Sequence, residues 1–378
     1  MTLKGQFTRF LESDPHRLHF AAHSHHPWPD VSYDAHQKAW TEAAELMDDK
    51  WDRVFGSVMP ETTDLIGGVL GLDSGDTIAF APNTHEFVVR IFSCLDPPVR
   101  ILTTDSEFHS FNRQSRRWEE DGTAIIDRVP AEPFENFSER FTREARAGVH
   151  DLIFLSEVFY NSGFVVPELD RIVSSVSEDK AFIVIDGYHA FMARPVNIGA
   201  IQDRVFYLAG GYKYAMSGEG ACFLHCPPGY GRRPVNTGWY AGFGQLETGV
   251  SELVPFGDDG SRFLGATADP SGIYRMRAVL DWLANDGITP ADVSNHVIDL
   301  QRRFLDADVH PGSLVPTDGI ERGNFLTFET DDAAAIYQAL HDLKVITDYR
   351  SNRLRIGFGI YQDEADVDQL LERLAPIL

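Results

Sequence analysis

Two runs of large apolar residues, Ala181-Phe182-Ile183-Val184-Ile185 and Val205-Phe206-Tyr207-Leu208-Ala209, constrain this chain more than any other feature. Neither alternates with polar residues. Each therefore reads as a strand buried on both faces, the mark of a parallel sheet covered by helices. Both end in reactive groups. The first runs into Asp186-Gly187-Tyr188-His189-Ala190, the second into Gly210-Gly211-Tyr212-Lys213-Tyr214, and a Ser217-Gly218-Glu219-Gly220 turn follows. A carboxylate and a lysine thus stand where neighbouring parallel strands end, the rim at which open α/β sheets bind ligands. Burial between glycines and aromatics penalises the charged form of Lys213 and lowers its pKa, and such a lysine condenses readily with carbonyls. An aspartate beside it can hold the proton of a pyridine nitrogen. Together the two supply what pyridoxal 5'-phosphate (PLP) asks of a protein: a lysine for the aldehyde and an acid for the ring nitrogen.

The pattern Asp-x-x-His-Ala, then Tyr-Lys-Tyr, then a small-residue turn with glycine resembles fold type I PLP enzymes of the class V aminotransferase family. Within that family it is most similar to kynureninase, and Asp186, His189, Tyr212, Lys213 and Tyr214 carry the likeness. The resemblance implies an α/β fold: a three-layer αβα large domain with a mostly parallel seven-stranded sheet, and a smaller α+β C-terminal domain. The expected division is an N-terminal segment over 1–50, a PLP-binding domain over 51–268 and a small domain over 269–378. Lys213, Asp186 and His189 become the expected catalytic residues, with Lys213 as the Schiff-base lysine.

Other stretches extend the likeness. Asn83-Thr84 opens a helix after a strand, where free N–H groups and the helix dipole suit a phosphate as well as a cap. Asp105-Ser106-Glu107-Phe108-His109-Ser110 follows the strand 100–104; Phe108 is expected to stack on the pyridine ring and Ser110 to lie at the cofactor. Ser156-x-Val158-x-Tyr160-x-Ser162-Gly163 fits the family, whereas Phe111 and Phe159 stand where it carries Asp and Asn. Trp239 and Thr267 resemble phosphate contacts, the latter one that reaches the other subunit, so a homodimer with shared sites is expected. Thr347-Asp348-Tyr349-Arg350 and Asn352-Arg353-Leu354-Arg355 resemble the kynureninase Asp-x-Arg and Leu-Arg elements, with Tyr361 in the following turn. Arg355 is the expected grip on a substrate α-carboxylate, because a guanidinium fork makes two parallel bonds to it. His23-Ser24 resembles a substrate-side element. The histidines around it lie in a Pro-flanked turn without metal-ligand spacing, and no metal site is expected.

The remaining pattern agrees with two lobes. Helices are expected over 32–49, 62–70, 273–285, 291–306 and 332–343 and from Glu364, with strands over 76–80, 100–104, 151–156, 220–225 (antiparallel), 325–328 and 354–358. Residues 116–150 read as a helix and loops. At 378 residues with 43% apolar and 24% charged composition, the chain suits a globular protein. A net charge of −24 disfavours nucleic acid and anionic membranes as partners. Three cysteines, no long apolar run and no apolar leader at Met1–Phe7 point to the cytoplasm. The expected activity is that of a PLP enzyme acting on an amino acid: a kynureninase-like C–C hydrolase or related lyase, alternatively an aminotransferase, and as a third reading a PLP-binding protein without turnover.

Overall fold

In the computed structural model, which describes residues 3–177, 181–229, 232–245 and 253–378, the two apolar runs are the strands Phe182–Asp186 and Val205–Gly210. They lie side by side and parallel near the middle of a seven-stranded sheet. Across it the order is Ile78–Ala81, Cys222–His225, Val205–Gly210, Phe182–Asp186, Leu152–Ser156, Val99–Thr104, Ala124–Val129. Only Cys222–His225 runs antiparallel to its neighbours.

The pleat explains why the runs are continuously apolar. Ile183 and Ile185 pack into one hydrophobic layer with helices Met59–Leu70 and Ser271–Asn285. Phe182 and Val184 face the opposite layer, with Phe87, Ile91 and Phe206. Successive side chains of one strand therefore serve two cores. Each fully buried Ile or Phe contributes about 1.5–3 kcal/mol of transfer free energy, which fixes the strand ends and the groups they carry.

One stretch departs from expectation. The region 116–150, read as a helix and loops, contains the strand Ala124–Val129. It sits at the sheet edge, where Ala124 and Ile126 are buried while Ile125 and Asp127 are exposed. One water-facing side breaks the apolar run that reveals a central strand. The helix expected over 32–49 spans Asp30–Leu46, and the strand expected over 76–80 is Ile78–Ala81.

A second, four-stranded sheet follows in the order Asp348–Arg350, Arg353–Gly357, Phe325–Glu329, Ser313–Val315, all antiparallel. Its core includes Leu326, Phe328, Leu354, Ile356 and Phe358, and helices Pro290–Leu305, Ala333–Asp342 and Glu364–Leu374 cover it. An early strand, Leu18–His19, pairs in parallel with Val345–Ile346, so the His23 turn belongs spatially to this part of the molecule.

Candidate active site

At the carboxyl ends of the central strands lies a cavity of about 230 Å³ lined by Asn83, Thr84, Phe108, Asp186, His189 and Lys213, with Ser110, Ser156, Tyr160, Tyr188, Tyr212, Glu219 and Cys222 around them. Asp186 reaches it as the last residue of its strand. The next position cannot carry a side chain: a Cβ at Gly187 would lie 1.8 Å from the Tyr207 hydroxyl. Asp186 Oδ1 accepts the Tyr188 N–H at 2.9 Å. Lys213 follows Gly210-Gly211 and is held by a closed turn. Met216 N–H donates to Lys213 O at 2.9 Å and Ser217 N–H to Gly211 O at 2.6 Å. Buried Arg275, from the helix Ser271–Asn285, donates through Nε to Ser217 O at 2.7 Å and locks the turn from outside.

Lys213 is 4% exposed. Its Nζ donates to His189 Nε2 at 2.7 Å and lies 5.2 Å from the Phe108 ring centroid and 5.1 Å from that of Tyr188. Burial lowers its pKa, while the charge of Asp186 works the other way. Burial likewise raises Asp186, opposed by the Tyr188 N–H and by Lys213. His189 is held well below its usual range by burial and then by the Lys213 charge. It is therefore the neutral imidazole, and a hydrogen bond to the His23 backbone works the other way. The lysine thus has a neutral acceptor in contact and its counter-charge further off, an arrangement that favours release of its proton.

The helix Thr84–Phe92 opens towards this cavity. Asn83 Oδ1 caps it by accepting Glu86 N–H at 3.1 Å, so the plain cap reading holds and does not exclude an anion at the remaining N–H groups. Tyr212 lines the same wall, its ring edge-on to Tyr188.

Five expected residues lie outside this lining, Arg355 among them. Trp239 and Thr267 do not line the cavity; Trp239 Nε1 donates to Thr267 Oγ1 at 3.1 Å on a half-exposed surface. Residues 246–252, between them in sequence, lie outside the described residues. His23 is buried behind the cavity, stacked on Phe325 at 4.6 Å with Nε2 3.3 Å from Asp348 Oδ1. Ser24 follows it in a turn, its N–H donating to Ala21 O. Two neighbouring histidines are taken up in packing: His19 Nδ1 lies 2.6 Å from the Tyr361 hydroxyl, and His26 packs edge-on against Tyr361.

Arg355 is 3% exposed, and its fork is occupied. Nε donates to Asp348 Oδ1 at 2.6 Å, Nη2 to Asp348 Oδ2, and Nη1 to the Tyr160 carbonyl. Arg350, at the exposed side, also reaches Asp348, at 3.2 Å. Phe111 and Phe159 are core residues: Phe111 stacks on Phe154 at 3.7 Å, and Phe159 is fully buried against Phe137 and Phe164.

Sequence reasoning passed over Tyr188, Cys222 and Glu107. Nothing in the local pattern marks the first two. Glu107 could have been found, since it follows the strand Val99–Thr104 at the same rim as Asp186.

The residues present fit PLP. A buried lysine, a carboxylate bearing a single hydrogen bond from the described residues, an aromatic face and a helix N-terminus converge on one cavity. Comparison with known proteins agrees. Residues 44–310 match the family model described as Aminotransferase class-V, and residues 294–374 match that of the Kynureninase C-terminal domain. No curated protein matches the sequence. Among solved structures, the C-DES variant with glycine covalently linked to its PLP cofactor superposes with a TM-score of 0.84 at 16% identity, covering 99% of each chain. A cysteine desulfurase from Thermococcus onnurineus NA1 reaches 0.82 at 14% identity over 100% of this chain and 99% of its own. The cysteine desulfurase CsdA from Escherichia coli reaches 0.79 at 16%, over 99% and 97%. At these identities the structures speak to the fold, and the family models speak to the cofactor.

Proposed function

Because this chain belongs to the class V aminotransferase family of PLP-dependent enzymes, we propose that it cleaves a side-chain bond of an amino acid, as a kynureninase-like hydrolase or a closely related lyase. The observation that carries this reading is Lys213, buried at a strand end with His189 as its contact partner and Asp186 across the cavity. When bound, PLP supplies an electron sink for an amino acid joined to its aldehyde. The protein's residues do the rest. Lys213 would hold the aldehyde and, with its amine free, would move a proton at the substrate Cα. Asp186 keeps a proton on the pyridine nitrogen, and His189, neutral, accepts from Lys213. Phe108 and Ser110 flank the ring; Asn83, Thr84 and Tyr212 serve the phosphate. Arg355 takes the substrate carboxylate by exchanging partners with Asp348, which His23 also contacts.

The match at 294–374 favours the kynureninase-like form, because this region contains Asp348, Arg350 and Arg355. The structural neighbours raise a second form, C–S cleavage, since one is described as a cystine C-S lyase complex. A sulfur relay through a cysteine of this chain does not fit. Cys94, Cys222 and Cys226 are all buried, and burial pushes each thiol up, Cys94 and Cys222 to about 12. No thiolate stands ready to accept sulfur.

The test is an ultraviolet–visible spectrum of the holoenzyme, then product analysis with L-kynurenine, with cystine and cysteine, and with amino donors plus 2-oxo acids. Release of a side-chain fragment from the first or second set supports the proposal. Turnover of the third set alone makes it an aminotransferase, and a bound cofactor without turnover makes it a binding protein. The proposed assembly is a homodimer in which Trp239 and Thr267 serve a phosphate at the interface. Sedimentation of the active enzyme decides it: full activity at the single-chain mass of 42.4 kDa removes that role.

A further inference from the structure

A second opening adjoins the cavity, and the function above gives it no task. It is a groove of about 720 Å³ along the helix His109–Glu120, lined also by His85. Ser110 lines both spaces, and Thr84 of the cavity is the chain neighbour of His85 in the groove, so the two meet at the starts of two helices. The groove is basic. His109, Arg113, Arg116 and Arg117 follow the three- and four-residue spacing that puts side chains on one helix face. Arg117 is committed at the far end, where Asp121 lies at 3.5 Å and Glu120 at 3.9 Å. Arg113 and Arg116 are exposed and make no ion pair or side-chain hydrogen bond among the described residues.

With 57 acidic residues against 33 basic ones, this chain has carboxylates to spare. Two arginines left without one keep a local positive field beside the cavity, and such a field draws in anions. A helix rises about 1.5 Å per residue, so Arg113 and Arg116 lie roughly 4.5 and 9 Å along the axis from Ser110. That is the reach of a side chain whose amino-acid head occupies the cavity. His109 ties the groove to the other end of such a molecule. Its ring meets Tyr160 of the cavity wall edge-on at 5.0 Å. Burial, then the charges of Arg350 and Arg355, lowers its pKa, so the inner end of the groove lies near the proposed carboxylate anchor and the positive charge in it belongs to the arginines.

We propose that this groove is a specificity site: Arg113 and Arg116 take an acidic group at the far end of the substrate's side chain, so the preferred substrate is an amino acid with a second, distal acid. The inference rests on the PLP reading of the cavity, and its test separates the two. Holoenzyme is titrated with L-2-aminoadipate, with L-2-aminopimelate and with the distal amide of each, and binding is read from the visible absorbance of the cofactor. Wild type is expected to bind at least one acid about 10-fold more tightly than its amide, the size of a charge-assisted hydrogen bond at an accessible site. That preference is expected to shrink as salt rises. The double variant Arg113→Gln/Arg116→Gln is expected to bind acid and amide alike, with its amide affinity within about twofold of wild type and its PLP affinity unchanged. Retained amide binding guards against a folding defect. Arg117→Gln, whose charge is already paired, is expected to keep the preference. No acid preference in wild type, a preference that survives the double variant, or one lost equally in Arg117→Gln overturns the proposal. Weaker PLP binding in the double variant also overturns it, by assigning the arginines to the cofactor phosphate. Failure of wild type to take up PLP, or to respond to any of the four amino acids, overturns the underlying reading of the cavity itself.

Discussion

Lys213 and Arg355 are both buried basic side chains, the first lining the cavity and the second outside its lining, and their surroundings differ in kind. Lys213 touches a neutral histidine and the faces of Phe108 and Tyr188, and forms no ion pair among the described residues. Arg355 is gripped on two nitrogens by Asp348 and on the third by a carbonyl. One environment destabilises charge and suits the base proposed for Lys213; the other satisfies charge and suits the anchor proposed for Arg355. Desolvation is common to both, and the presence of a matched carboxylate decides which outcome follows.

Removing the base breaks this contrast most severely. Lys213→Ala should fold, yet lose turnover on the order of 10⁴-fold and yield no borohydride-fixed PLP at its peptide. A reduced adduct mapped to that same peptide would show that another lysine carries the cofactor. Next comes the anchor's partner. Asp348→Ala strands a buried guanidinium and should lower apoprotein stability by about 3–5 kcal/mol in a urea melt. A loss under about 1 kcal/mol would place this pair with ordinary surface bridges.

Asp186→Ala should raise the barrier by about 3 kcal/mol, roughly 10²-fold in turnover, with a smaller change in PLP affinity because the phosphate contacts remain. Wild-type turnover in that variant would take Asp186 out of the chemistry. The smallest effect is a pH slope. Burial pushes Asp348 up, but His23 and Arg355 hold its carboxyl well below the usual range. A depressed carboxyl contributes stability that is fully present above its unfolded value of about 3.9 and is lost as pH falls towards the folded one. Asp348→Asn should flatten stability against pH on the acid side of about pH 4. An unchanged slope would mean that other carboxylates dominate it.

The base half of this site was legible in the sequence because continuous apolar strands point directly at Asp186 and Lys213. The Arg355–Asp348 pair was not seen, although its signal was present. Asp348 and Arg355 are direct cross-strand partners in a hairpin whose two-residue turn is Ser351-Asn352, with Ser351 at φ 53°. Reading the Asp-x-Arg element as a hairpin would have set the acid opposite the arginine. The edge strand Ala124–Val129 was missed because its exposed face interrupts the apolar run. The core positions of Phe111 and Phe159 follow from packing with distant aromatics that no local pattern reports.

The pairing of Leu18–His19 with Val345–Ile346 also sets a schedule. His19 meets Tyr361 across 342 positions of sequence, and His23 meets Asp348 across 325. On a ribosome adding about 5–20 residues per second, the early segment waits tens of seconds for its partners to emerge. By then every strand of the central sheet has been synthesised, and the base corner can form. Asp348 and Arg355 come last, so a chain stalled before residue 345 carries Asp186 and Lys213 but not yet that pair.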